Sequence, residues 1–124
     1  FQQYNFYRPY LSILRKDIPS PFGEHWQRVY TYRITDTVRV GQTVCYEIQV
    51  EPKRTADLAF SGTIWVDTTQ LALAQLDVSV GNRANINFVD DLHIEQEWNA
   101  TPAGAWLPTQ TVVSIDTDEP TPNA

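Results

Sequence analysis

The chain has 124 residues, 42% of them hydrophobic and 19% charged, with a formal net charge of −6 and a pI near 4.7. That length fits one domain with a single core and excludes two independent ones. The acidic balance excludes nucleic acid as a partner, because phosphate binding requires a basic patch that tracks the backbone, and no polybasic segment suits an anionic membrane surface.

The single cysteine, Cys45, has no partner for an internal disulfide and lies between Val44 and Tyr46 in a strand-like segment. It reads as a packing residue, since a reactive thiolate needs an electropositive setting that this segment lacks. No apolar run approaches the ~18 residues of a membrane helix, and Phe1-Gln2-Gln3 does not open a signal peptide. With no methionine anywhere, the chain is expected to be a fragment of a longer protein, so missing targeting signals say nothing about the parent.

In chain order, Tyr7, Tyr10, Leu11 and Leu14 follow the i, i+3, i+4, i+7 spacing of a helix over 4–16, with Asn5 as its cap and Pro9 in its first turn. Asp17 to Gly23 is a proline-containing connector. Candidate strands then follow. His25–Asp36 sets Trp26, Tyr30, Tyr32 and Ile34 on one face, and after a turn around Gly41, Thr43–Val50 alternates Val44, Tyr46, Ile48 and Val50 with polar residues. Leu58–Val66 has the cleanest alternation: Leu58, Phe60, Gly62, Ile64 and Val66 against Ala59, Ser61, Thr63 and Trp65.

After a turn at Asp67-Thr68-Thr69, Leu71–Val80 changes faces, which predicts a bulge near Ala74. Asn82–Asp90 reads as an ordered loop that tucks Ile86, Phe88 and Val89 under the sheet. Leu92–Trp98 alternates Leu92, Ile94 and Trp98 with His93, Glu95 and Glu97. Trp106–Asp116 points Leu107, Val113 and Ile115 inward, and Pro108 marks an edge or a break. The expected domain is 1–116, with 117–124 an acidic, proline-containing linker.

The fold class is therefore mainly β: a curved antiparallel meander of about six strands, an incomplete barrel, with a short N-terminal helix. Leu58, Phe60, Ile64 and Val66 of the third strand, with Tyr46 and Ile48 of the second, form its inner apolar face. Trp65 and Trp106 fall on the opposite face, where an indole gives a broad contact surface to a partner or ligand unless the helix or neighbouring domains cover it.

Lys53, the run from Phe60 to Asp67, Ala84 to Val89, and Trp106-Leu107-Pro108 resemble the central region of Gram-negative envelope proteins described as carboxypeptidase-like regulatory domain-containing proteins, a family of unknown function. The likeness spans roughly Phe6 to Asp116. The Phe60–Asp67 strand with the one after it also resembles the sheet of the lipoprotein-carrier and outer-membrane lipoprotein-sorting fold. The resemblance implies a location in the periplasm or outer membrane, a regulatory-like sandwich before this region and an outer-membrane barrel after it. It implies no zinc-peptidase chemistry. Asp36-Thr37-Val38 and Asp67-Thr68-Thr69 resemble the Asp-Thr-small signal for O-glycosylation of exported proteins, and both are also ordinary turn sequences. Asn99-Ala100-Thr101 fits the N-glycosylation sequon but is discounted, being followed by Pro102 in a chain of expected bacterial origin.

No residue is assigned a catalytic, cofactor-binding or metal-binding role. His93, Glu95 and Glu97, with Asp90 and Asp91 nearby, have the chemistry of cation ligands, but alternate side chains on a strand lie ~6.6 Å apart, so they read as a solvated face. His25 and Glu24 read the same way. Among Asp57, Asp67 and Asp77 nothing marks a catalytic pair, and no Ser, His and acidic cluster marks a nucleophile, which puts a hydrolase third. The first expectation is a non-enzymatic cell-envelope module that scaffolds, or binds a hydrophobic ligand such as lipid or lipoprotein, on its inner face. The second is a protein- or glycan-binding module using Trp65 and Trp106.

Overall fold

In the computed structural model, which describes residues 5–13, 16–24, 26–54, 58–80 and 90–117, the alternating segments pair into one sheet. Its strands are β3 (Tyr30–Val40), β4 (Thr43–Pro52), β5 (Phe60–Asp67), β6 (Leu73–Val80), β7 (Asp90–Ala100) and β8 (Trp106–Thr117). They lie in the order β3-β4-β5-β6-β7-β8, each antiparallel to the next. The expected meander is thus present, open rather than closed into a barrel. Its tightest link is the two-residue turn Gly41-Gln42 between Val40 and Thr43, where Gly41 takes a φ of 61°. That is the glycine-first pattern of short hairpins, which matches the twist of the flanking strands.

Two expectations at the N-terminus are corrected. The helix predicted over 4–16 is instead a hairpin of β1 (Tyr10–Ile13) and β2 (Lys16–Pro19), with Tyr10 opposite Pro19 and Ile13 opposite Lys16. Leu11 and Ile13 are buried while Tyr10 and Ser12 are exposed, so the period that counts here is two, not 3.6. The one helix among the described residues is α1 (Trp26–Val29), a single turn where the first strand was expected to begin. Trp26 stacks on Tyr32 with ring centroids 3.9 Å apart and planes 7° from parallel. Six extended residues would separate these rings by roughly 20 Å, so the stack requires a compact turn between them.

Three register shifts bend the sheet, each leaving one residue unpaired: Thr35 in β3, Ala74 in β6 and Thr109 in β8. Bulges increase local twist, and the one at Ala74 stands where the face switch in the sequence placed it. The bulge at Thr109 was not foreseen and reverses the parity of the start of β8. Trp106 now shares the inner face with Pro108 and packs against the core, while Leu107 is 53% exposed. The inward Leu107 and outward Trp106 of the sequence reading are therefore exchanged. Val113, opposite Ile94, keeps its expected row but is 40% exposed on the edge strand. Ile34, paired with Ile48 on the other edge strand, is 62% exposed for the same reason: a neighbour covers one side only.

The inner face is the core. Phe60, Ile64, Leu76, Val78, Val80 and Ile94 are fully buried, in one cluster with Phe6, Leu11, Ile13 and Ile18 of the N-terminal segment. Phe6 meets Phe60 edge-on at 5.6 Å. The segment is also pinned by hydroxyls: Tyr30 donates to the Pro19 carbonyl at 2.5 Å and accepts from the Phe60 N–H at 2.9 Å, and Tyr7 accepts from the Leu73 N–H at 3.0 Å. Each closes a backbone group that burial would otherwise leave unpaired. The loop expected at 82–90, apart from Asp90, and the tail after Thr117 lie outside the described residues.

Candidate functional site

Strand parity that sends Phe60, Ile64 and Val66 inward sends Ser61, Thr63 and Trp65 outward, and the ladder register aligns their neighbours in rows. One row runs Glu47, Trp65, Gln75, Glu97, Gln110; the next runs Gln49, Thr63, Asp77, Glu95, Val112; a third runs Ser61, Ser79, His93, Ser114. The outer face is thus a polar sheet surface, rich in carboxylates, with one indole near its centre.

Trp65 is half-buried among these side chains, and its Nε1–H donates to Glu47 Oε1 at 3.0 Å. Glu47 is itself held, since Thr35 Oγ1 donates to its Oε2 at 3.2 Å. The indole is therefore fixed in orientation before any partner arrives. Beyond it, Gln75, Glu95, Gln96, Glu97, Gln110 and Val112 line a shallow cavity of about 140 Å³, and a second of about 380 Å³ lies over Thr31, Tyr32, Arg33, Gln49 and Glu51. Amides and carboxylates dominate the first lining, which suits hydrogen bonding rather than apolar burial, while the second mixes Tyr32 with the polar groups of Thr31, Arg33, Gln49 and Glu51.

One row over, the ladder brings together residues the sequence kept apart. His93 Nδ1 is 2.8 Å from Ser79 Oγ, and His93 Nε2 is 3.0 Å from Asp77 Oδ1 and 3.6 Å from Glu95 Oε1. Along a single strand His93 is grouped with Glu95 and Glu97, whereas Asp77 comes from the neighbouring strand, which alternation within one strand does not reveal. The signal that finds it is the pairing of Asp77 with Glu95 and Ser79 with His93. Ser79, His93 and Asp77 follow the order of a hydrolase triad, yet Ser79 is mid-strand with Ser61 on one side and His93 on the other. Both ladders consume the backbone N–H groups of the strands around it, so among the described residues no free pair of N–H groups faces Ser79 to stabilise an oxyanion.

The other sequence-derived residues fall as follows. Leu58 and Tyr46 are half-buried against the core, and Phe60, Ile64, Val66 and Ile48 are buried in it. The apolar face proposed for a hydrophobic ligand is thus already covered by the N-terminal segment. Trp106 is on that inner side, its Nε1–H donating to Gln70 Oε1 at 2.6 Å, so it does not share a surface with Trp65. Asp67 is buried and accepts from the Gln70 N–H through Oδ2 at 2.5 Å, which makes it a turn residue. Burial pushes the Cys45 thiol above its ordinary 9.0, and the Asp67 carboxylate adds to the rise, so the thiol is inert. Burial likewise raises the Tyr32 phenol, which donates to the Pro21 carbonyl.

These features define a β-sheet domain backed by its own N-terminal hairpin on one face and presenting a fixed, polar, Trp-centred surface on the other. By sequence the chain belongs to the family of unknown function DUF5686, which matches over residues 1–119. No curated protein and no solved structure matches it.

Proposed function

We propose that this domain is a non-catalytic binding module of the cell envelope that engages a glycan through its outer sheet face. The observation that carries the reading is Trp65, an indole oriented by Glu47 and next to Gln75, in a row that continues across the sheet to Glu97 and Gln110. A sugar ring offers C–H faces that stack on an indole and hydroxyls that pair with amide and carboxylate groups around it. Pre-oriented groups lose little entropy on binding, so a small surface suffices. The extracytoplasmic location, beside an outer-membrane barrel, rests on the resemblance to the envelope family. A hydrophobic ligand is not part of the proposal, because its intended surface forms the core.

The test is retention of the purified chain on insoluble and immobilised polysaccharides, neutral and anionic. Trp65→Ala is expected to keep the fold, by circular dichroism, and to abolish retention. Trp106→Ala is expected to lower stability and leave retention in the folded fraction. If no polysaccharide retains the chain, or the Trp65→Ala protein is retained equally, the glycan reading is wrong.

A further inference from the structure

We propose that Asp77, His93 and Glu95 bind a divalent first-row transition-metal ion, for which Zn2+ is the fitting case. This does not rest on the glycan reading and uses none of its residues. The three offer one ligand atom each within 4.8 Å of one another. His93 Nε2 lies 3.0 Å from Asp77 Oδ1 and 3.6 Å from Glu95 Oε1. A tetrahedral zinc with bonds of about 2.0–2.1 Å places neighbouring ligand atoms about 3.3–3.4 Å apart. The two separations from His93 straddle that value, and the carboxylate atoms lie within 4.8 Å of each other, so side-chain rotation of about an ångström brings the three onto one ion.

The backbone supplies the convergence. Asp77 and Glu95 are directly opposite each other in the β6–β7 ladder, and His93 sits diagonally from Asp77 on the same face. Cross-strand neighbours approach more closely than alternate residues along one strand, which removes the spacing objection that applied to His93, Glu95 and Glu97. The imidazole is also oriented: Ser79 Oγ, 2.8 Å from Nδ1, holds the ring so that Nε2 faces the two carboxylates. A ligating histidine commonly has its second nitrogen hydrogen-bonded in this way. Metal binding through Nε2 needs that nitrogen free of its proton, so in the metal-bound state the neutral ring carries its proton on Nδ1 and donates it to Ser79 Oγ.

Charge and composition agree. Two carboxylates balance a divalent ion, and an imidazole with carboxylates is a donor set for zinc and its neighbours rather than for calcium. The side chains of Asp77 and His93 are 40% and 37% exposed, which leaves a coordination position open to water. Bound there, the ion ties β6 to β7 at the centre of the outer face.

Isothermal titration of the EDTA-treated chain with ZnCl2 alone is the test. One ion per chain is expected, with a rise in Tm on loading. His93→Ala and Asp77→Asn should each weaken binding by more than about tenfold, and Ser79→Ala by about tenfold through loss of orientation. His25→Ala, altering the other histidine of the chain, should bind as the unaltered chain does. No saturable binding by the unaltered chain, or unaltered binding by His93→Ala, overturns the site. The side chains of Asp77, Ser79 and His93 are partly exposed, and circular dichroism of each variant separates lost ligation from lost fold.

Discussion

Gly62 stands in the centre of β5 with a φ of 146°, a region that side-chain-bearing residues avoid. A Cβ built there would lie 2.3 Å from the Asp77 carbonyl oxygen and 2.9 Å from the Val78 Cα, both backbone atoms of β6. Gly62→Ala therefore has two costs: backbone strain of about 1–3 kcal/mol, and forced separation of two central strands, comparable to overpacking at about 1–3 kcal/mol. Reduced entropy of the unfolded chain returns about 0.4–1 kcal/mol, leaving a net loss of about 1–5.5 kcal/mol. Gly41→Ala is the matched control. Its φ is 61° and nothing lies within 4 Å of the added carbon, so only the left-handed penalty applies, about 1–2 kcal/mol before the same offset. Urea unfolding of both variants, analysed by linear extrapolation, should show Gly62→Ala losing at least about twice as much stability. Equal losses, or a Gly62→Ala loss below about 1 kcal/mol, would show that β5 and β6 do not approach as closely as the contact requires.

Tyr30→Phe removes the hydroxyl shared by the Pro19 carbonyl and the Phe60 N–H. With Phe60 fully buried, a loss of about 1–3 kcal/mol is expected in the same urea assay, and an unchanged midpoint would contradict it. Alkali should destabilise the domain. The folded state holds the Cys45 and Tyr32 protons above their ordinary values of 9.0 and 10.0, so this stability is present below those values and is lost as pH rises through the folded ones. Urea midpoints should be flat from pH 7 to about 8.5 and then fall, with Cys45→Ala removing the part that begins near 9.0; a flat profile to pH 10.5 would refute the burial of these groups.

Much of the fold was legible because a strand writes its burial into alternate residues. Leu73–Val80 even carried its own irregularity, since two apolar faces in one run require an extra residue, and Ala74 is that residue. The N-terminal segment misled because Tyr7, Tyr10, Leu11 and Leu14 satisfy a helical spacing while Leu11, Ile13 and Ile18 satisfy a hairpin. Burial against the sheet decides between the two, and local sequence does not contain it. Trp106 was assigned to the wrong face because the bulge at Thr109 lies between two residues that alternation alone treats as continuous.

By itself the sequence determined an acidic, mainly β domain with an antiparallel meander, an apolar inner face and Trp65 on the outer one, because composition and period-two patterning are local properties. Only the tertiary structure decided which residues from different strands become neighbours. The inner face became core once the N-terminal hairpin covered it. Asp77 reached His93 and Glu95 once β6 and β7 took their register. Register is a relation between segments, set by which apolar sets must face inward together, and shifting either strand by one residue would turn these side chains to opposite faces.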